Sequence, residues 1–367
     1  MKPALTGRDI DPYYYESDNF LLFPYKEESG KIVLIQPCEM VEKYPKAWNY
    51  LNHSTNQIIL RGRDKGDFQS REDWYGYGRP QNMHLLGISK IVLPDVAGRA
   101  EFTYDSEGRY IIDTSYAITL KRGVSISSLA LTAILNSSLM TFFLKQTGTD
   151  LRGGYFRMKT AYLNPFPIPQ ISFTTSNDRR QQAFQDVIAL YDKFQLDHNP
   201  DPLLAKVDYH LSQQPEETDV IHDLLAHLAE QMIELNKQKQ AEIKSFFQWL
   251  ERFVGCDIDN LSNKSKIQNY LGDYYKKTQG SDMETDIGEP HLSFDDFIEL
   301  LKKNKKKLKI DPAARKEQQT LEKEYQNSLD VLLPIKMQLM RCDRLIDAIV
   351  YKLYGLIEEE IAIVEGS

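Results

Sequence analysis

The residues best placed to do chemistry are Asn164-Pro165-Phe166-Pro167, within LRGGYFRMKTAYLNPFPIP (151–169). An Asn side chain and the carbonyl of the next proline can accept hydrogen bonds from an exocyclic amino group, while an aromatic ring stacks on a base turned out of its duplex. That pattern, Asn-Pro-Pro-aromatic, serves methyl transfer to the amine. Here Phe166 stands where the second proline belongs, so carbonyl and ring are both displaced. Such a centre also needs a donor pocket, usually a glycine-rich turn after a first strand. Gly76-Tyr77-Gly78 lies upstream, but beside Trp74 and Tyr75 with no apolar strand before it. The tetrapeptide therefore reads as the end of a domain, stiffened by prolines that fix φ and remove donors.

Other reactive groups are scattered. Pro94-Asp95 has no Asp/Glu-x-Lys in the next thirty-odd residues, so a metal-dependent nuclease motif does not form. His222 and His227 are five apart, whereas two ligands on one helix face need four. Cys38, Cys256 and Cys342 are isolated and odd in number, against a disulfide framework or a zinc site and in favour of a reducing cytoplasm. No hydrolase triad can be assembled.

What remains is basic, amide and aromatic residues in loops. RGRDKGDFQSREDWYGYGRPQN (61–82) carries Arg61, Arg63, Lys65, Arg71, Arg79, Gln81 and Asn82 among Trp74, Tyr75 and Tyr77. Arg suits guanine O6 and N7, Asn and Gln suit adenine N6 and N7, and Lys suits phosphate. Lys145, Arg152, Arg157 and Lys159 surround Gly153-Gly154, where bare backbone could approach a phosphate. Polar loops are common, so packing of Trp74 or Arg79 stands as the plain alternative. The lysine run KKNKKKLK (302–309) reads as a solvated helix end. The net charge of −8 discourages nucleic acid as a partner only if it is uniform. Residues 1–172 hold 20 Lys+Arg and 18 Asp+Glu, net +2, and the remainder 25 and 35, net −10. The first part stays eligible, because affinity follows local charge.

The elements that position these residues fall into two halves. Up to about residue 172, FLLFPY, KIVLI, QIIL, KIVLP, EFTY, RYII and YAITL have strand length and β-branched or aromatic content. Helices are expected near 38–52 and through 125–146. After 172 the period becomes helical: 178–196, a long helix from Thr218 ended by Gly255 with Thr218 or Asp219 as cap, and another after Ser293. Two further helices, 312–333 and 335–354, are expected on either side of Pro334. The fold class is α+β: a mixed α/β domain (1–172), then a long-helix bundle or coiled-coil arm (173–367) with a loop-rich insertion at about 255–292. No apolar run reaches the roughly 18 residues of a membrane helix.

GRDI (7–10), YPKAWNYL (44–51), the R-G-R at 61–63, WYGYGRPQN (74–82), KIVLPDV (90–96), ILNSSLMTFFLKQ (134–146), LRGGYFRMKTAYL (151–163) and PFPIP (165–169) occur in an order that resembles the TaqI-type C-terminal specificity domain. This is the target-recognition part of type IIG restriction-modification enzymes and adenine-N6 DNA methyltransferases. LAEQMIELNKQKQ (228–240) and RLIDAIVYKLYGLIEEEIAIVE (344–365) resemble the helical C-terminal region of such enzymes. The resemblance implies sequence-specific recognition of double-stranded DNA. Arg61, Arg63, Arg79, Gln81 and Asn82 are expected to read bases, and Lys145, Arg152, Arg157 and Lys159 to hold phosphates. Catalysis and S-adenosylmethionine belong to a methyltransferase domain absent from this chain, so the chain is a C-terminal part or a separate subunit partnered by a methyltransferase or nuclease. The alternatives are a protein-interaction scaffold without DNA affinity, or an autonomous amino-methyltransferase using Asn164 to Pro167.

Overall fold

A computed structural model of the chain describes residues 1–53, 73–77, 83–275 and 288–366. They form two compact units that interleave along the sequence: Met1–Arg122 with Asp150–Lys159, and Gly123–Thr149 with Thr160–Ser367. Residue 172, the boundary expected from periodicity, falls inside the second unit.

The first unit is built from short strands. β1 (Lys2–Leu5) lies between β4 (Phe20–Leu21), antiparallel, and β10 (Ile111–Ile112), parallel. β2 (Ile10–Asp11) and β3 (Tyr14–Tyr15) pair, as do β5 (Tyr25–Glu28) and β6 (Lys31–Leu34) around a turn at Ser29-Gly30. β7 (Lys90–Pro94) is the central strand of its sheet, between β9 (Thr103–Asp105) and β11 (Ser115–Ile118). All five of its residues are buried, which is why its sequence, KIVLP, does not alternate. Lys90 and Asp105 pair at 2.9 Å with side chains 2% and 0% exposed. Asp105 also accepts the main-chain N–H groups of Arg109 and Tyr110, each at 3.2 Å, so its buried charge is solvated by the turn that follows β9.

The helix expected over 38–52 is two helices, α1 (Pro37–Lys43) and α2 (Pro45–Asn52). Tyr44 leaves the helical region (φ −132°, ψ 49°) because the ring of Pro45 disfavours αR for the residue before it. These helices and the β5–β6 hairpin close a small core of Ile35, Met40, Leu51 and Tyr75, flanked by Trp48 and Trp74.

The second unit is helical. The helix expected through 125–146 is also broken: α3 (Ser128–Asn136) and α4 (Ser138–Thr147) meet at 63°. Ser127 and Ser137 each adopt extended backbone and cap the following helix. A short α5 (Thr160–Leu163), then α6 (Asn177–Asp197) and α7 (Asp201–Leu211), precede α8 (Thr218–Val254), which ends at Gly255 with φ 66° as expected. Thr218 and Asp219 do not cap α8. They are its first residues, and their side chains accept from the main chain of Ser172 (2.9 Å) and Thr175 (3.0 Å), fastening the irregular segment that precedes α6.

Beyond α8, the loop-rich stretch holds α9 (Lys264–Gln268), and α10 (Phe294–Lys303) is capped by Ser293. The two helices expected around Pro334 are one, α11 (Arg315–Leu353), followed by α12 (Glu358–Val364). Proline removes one main-chain donor. The apolar face continues through it, with Leu329 and Leu332 buried before and Leu339 and Met340 after, so packing outweighs the break. α8 and α11 run antiparallel: Phe246 packs on Tyr325, while Cys342 lies against the Leu228 carbonyl. Buried Lys336 donates to the carbonyls of Leu271 and Glu289, tying α11 to the loop-rich stretch. No single helix among the described residues is long and apolar enough to cross a membrane.

Candidate nucleic-acid interface

Three of the four cations expected to hold phosphates share one hairpin. β12 (Asp150–Leu151) and β13 (Tyr155–Arg157) are joined through Arg152-Gly153-Gly154, and β13 continues the sheet onto β8 (Val96–Ala97). Gly153 and Gly154 have φ of 91° and 80°, a region side chains rarely adopt, so the sequence places glycine where the turn requires it. Phe156 and Met158 are buried at 1% and 0%, which by strand alternation turns Tyr155, Arg157 and Lys159 outward. Arg152 and Lys159 are exposed. Lys145, the fourth cation, is exposed in the last turn of α4 and belongs to the second unit.

Arg157 is partly engaged. Its guanidinium pairs with Asp95 at 2.5 Å, and the Asp95 carboxylate also accepts the Tyr116 hydroxyl at 3.3 Å. The Asp95 carbonyl accepts the Met158 N–H at 2.9 Å. Burial and the Asp95 charge together hold the Tyr116 hydroxyl above its usual pKa. Asp95, weighed from sequence as the start of a nuclease motif, is thus a clamp on the hairpin. The sequence reading passed over Tyr155, 51% exposed, with its ring beside the Cα positions of Gly98 and Gly153. Its signal was an aromatic directly after a glycine pair. Arg, Lys and Tyr side chains around bare glycine backbone can donate several hydrogen bonds to phosphate oxygens.

The five expected base readers, Arg61, Arg63, Arg79, Gln81 and Asn82, lie outside the described residues. The aromatics among them are partly described, and they pack. Tyr75 donates to the Ile35 carbonyl at 2.5 Å, the Tyr77 hydroxyl donates to that of Leu22 at 2.8 Å, and Trp74 lies against Trp48.

Asn164-Pro165-Phe166-Pro167 follows α5. Phe166 is 6% exposed, edge-on to Phe143 and against Tyr354, whose hydroxyl donates to the Pro167 carbonyl at 2.7 Å. A ring so enclosed has no face to offer a base, whereas Asn164 is exposed. His222 is likewise structural: its Nε2 accepts the Ser127 N–H at 2.9 Å, which leaves the proton on Nδ1 for Asp223 at 2.8 Å.

The chain thus holds a first unit of short mixed strands that presents a basic hairpin and a second unit of long helices. Residues 2–168 match the TaqI-like C-terminal specificity domain. Residues 218–350, from α8 into α11, match a domain of unknown function, DUF8810. The chain is similar to the type II restriction enzyme and methyltransferase RM.Eco57I of Escherichia coli, 25% identical over 195 residues, covering 50% of this chain and 19% of that protein. It is also similar to the type II methyltransferase M.BanIII of Aneurinibacillus aneurinilyticus, 29% identical over 151 residues, covering 41% of this chain and 25% of that protein. The match thus spans a quarter or less of these curated relatives.

Proposed function

We propose that this chain recognises a short sequence in double-stranded DNA for a restriction-modification system and positions a target adenine for N6 methylation by a methyltransferase domain or subunit. The specificity-domain match over residues 2–168 carries this reading, and the exposed hairpin of Arg152, Arg157 and Lys159 supports it. The two relatives, named as a restriction enzyme with methyltransferase and as a methyltransferase, point the same way. In this reading the hairpin and Lys145 hold phosphates, and Arg61, Arg63, Arg79, Gln81 and Asn82 read bases. S-adenosylmethionine binds to the methyltransferase. The helical unit serves as the element against which that partner is set.

A titration of the full chain with duplex DNA at several salt concentrations, alone and with the methyltransferase partner, tests it. Each neutralised phosphate lowers log K against log[salt] by about 0.9. Loss of a bidentate arginine among the base readers should cost about 1–3 kcal/mol and relax one position. A flat salt dependence, or no binding even with the partner present, would overturn the reading.

A further inference from the structure

We propose that the tip of the helical unit, presented by Lys303, Lys306 and Lys309, is a second docking surface for duplex DNA that grips phosphates without reading sequence. The proposal rests on the DNA-binding reading above but uses different residues. Six lysines and no acidic residue occupy 302–309. Three are engaged: Lys302 pairs with Glu299 at 2.8 Å, Lys305 with Asp311 at 2.8 Å, and Lys307 donates to the Asn260 carbonyl at 2.7 Å. The other three are exposed. Among the described residues none of them pairs with a carboxylate.

A solvated helix end accounts for lysines in the last turn of α10, where they meet the negative end of the dipole. It does not account for how the run beyond that turn is held. Asn304, 2% exposed, accepts the Ser262 N–H at 2.8 Å and donates to the carbonyls of Ser262 (3.1 Å) and Leu300 (2.8 Å). Lys305–Lys307 make a 3-10 turn. The Lys309 N–H then donates to the Val254 carbonyl at the end of α8 at 2.8 Å. Gly255 makes room there, since a Cβ on it would stand 2.4 Å from Lys309 Cδ. The segment is fastened at both ends, so like charges are held together on fixed backbone with three of them uncompensated. That arrangement carries a repulsive cost that a polyanion relieves.

The chemistry of the patch selects the partner. Ammonium groups are compact, strongly hydrated point charges suited to phosphate rather than to base edges. KKNKKKLKIDPAARK (302–316) contains no aromatic residue, so it offers unpaired bases nothing to stack on, which favours a duplex over a single strand. It also lacks the apolar centre of a protein interface.

The test is a salt titration with duplex DNA of random sequence, using the full wild-type chain, Lys303→Gln/Lys306→Gln/Lys309→Gln, and Arg152→Gln/Lys159→Gln. Circular dichroism and melting confirm that each variant folds. The triple variant should lower the magnitude of the log-log slope by about 2.7, three contacts at about 0.9 each. An unchanged slope in the triple variant, with a reduced slope in the hairpin variant, overturns this proposal and leaves the recognition reading standing. The reverse pattern supports the tip and removes the hairpin from that reading. Absence of DNA affinity in the wild type overturns both. An unchanged slope accompanied by lost binding of the methyltransferase partner assigns the tip to a protein surface, and likewise overturns the proposal.

Discussion

Asp347 on α11 receives both the main-chain N–H of Ser138, at 2.7 Å, and its hydroxyl, at 2.6 Å, across 209 residues of sequence. The carboxylate thereby satisfies an orphan donor in the first turn of α4 at the corner where α3 ends. Charge-assisted hydrogen bonds of this kind contribute about 1.5–3 kcal/mol. Asp347→Ala should lower stability in urea by about 2–4 kcal/mol, and Ser138→Ala by about 1–2 kcal/mol. A double-mutant cycle should show coupling; strictly additive losses would mean that the pair does not hold the corner.

The Lys90–Asp105 pair in the first unit makes a second stability prediction. Lys90→Met leaves a fully buried carboxylate with only two main-chain donors, and breaking a buried pair from one side costs about 3–5 kcal/mol. Chemical denaturation followed by tryptophan fluorescence in a Trp249→Phe background reads the first unit, which holds Trp48 and Trp74, because Trp249 lies in the second. A loss under about 1 kcal/mol would show that the pair is incidental to the fold.

Phe166 and Asn164 separate the structural reading of their tetrapeptide from the catalytic one. Phe166→Ala should destabilise the chain by about 3–4 kcal/mol, as loss of a buried aromatic does. Asn164→Ala, at an exposed position, should change stability by less than about 0.5 kcal/mol. It should also leave methylation by the assembled system intact. Abolished methylation in that variant would restore the motif as an active site.

Acid sensitivity should concentrate at the start of α8. The Arg179 guanidinium and then His210 hold the Glu217 carboxyl below its usual 4.5, against the effect of burial. Burial alone would raise the Asp223 carboxyl, but His222 and Arg180 more than offset it and lower it from 3.8. Both folded-state values lie below the unfolded ones, so the unfolded chain binds more protons in between. Their stabilisation is complete above about pH 4.5 and is lost as pH falls through the folded values. Urea midpoints between pH 7 and pH 3 should fall less steeply for Glu217→Gln than for the wild type. Equal slopes would remove Glu217 as a source.

Thiol labelling gives an inexpensive check on packing. Cys342 is fully buried, and burial pushes its thiol well above the usual range, whereas Cys38 is exposed. Native protein at neutral pH should be alkylated at Cys38, with Cys342 reacting only after denaturation. Rapid native labelling of Cys342 would mean that α8 and α11 open freely.

Long-range order was legible where one residue type decided the local conformation. KIVLP was legible as a strand, a helix was expected after Ser293, and Gly255 was expected to end α8, which it does in the left-handed conformation. The misses came from competition. Periodicity carried the reading straight through Ser137, where a cap and a partner 209 residues away bend the chain. Pro334 was read as a break, whereas the apolar face on both sides outweighs one lost donor. Of the candidate interface, the cations and bare glycine backbone of LRGGYFRMK were legible, whereas the hairpin they form was not expected, because its strands are two and three residues long. The hold of Asp95 on Arg157 was not, since the two stand 62 residues apart and meet only through the sheet.

The interleaving of the two units bears on when they can form. Ser138 is translated 209 residues before Asp347, and at about 5–20 residues per second that interval lasts roughly 10–40 s on the ribosome. During it the apolar corner of α3 and α4 has no partner on α11, while the first unit, whose last strand ends at Arg157, is already complete in sequence. Synthesis therefore imposes an order: every residue of the first unit is available to fold before the α8–α11 pairing of the second can close.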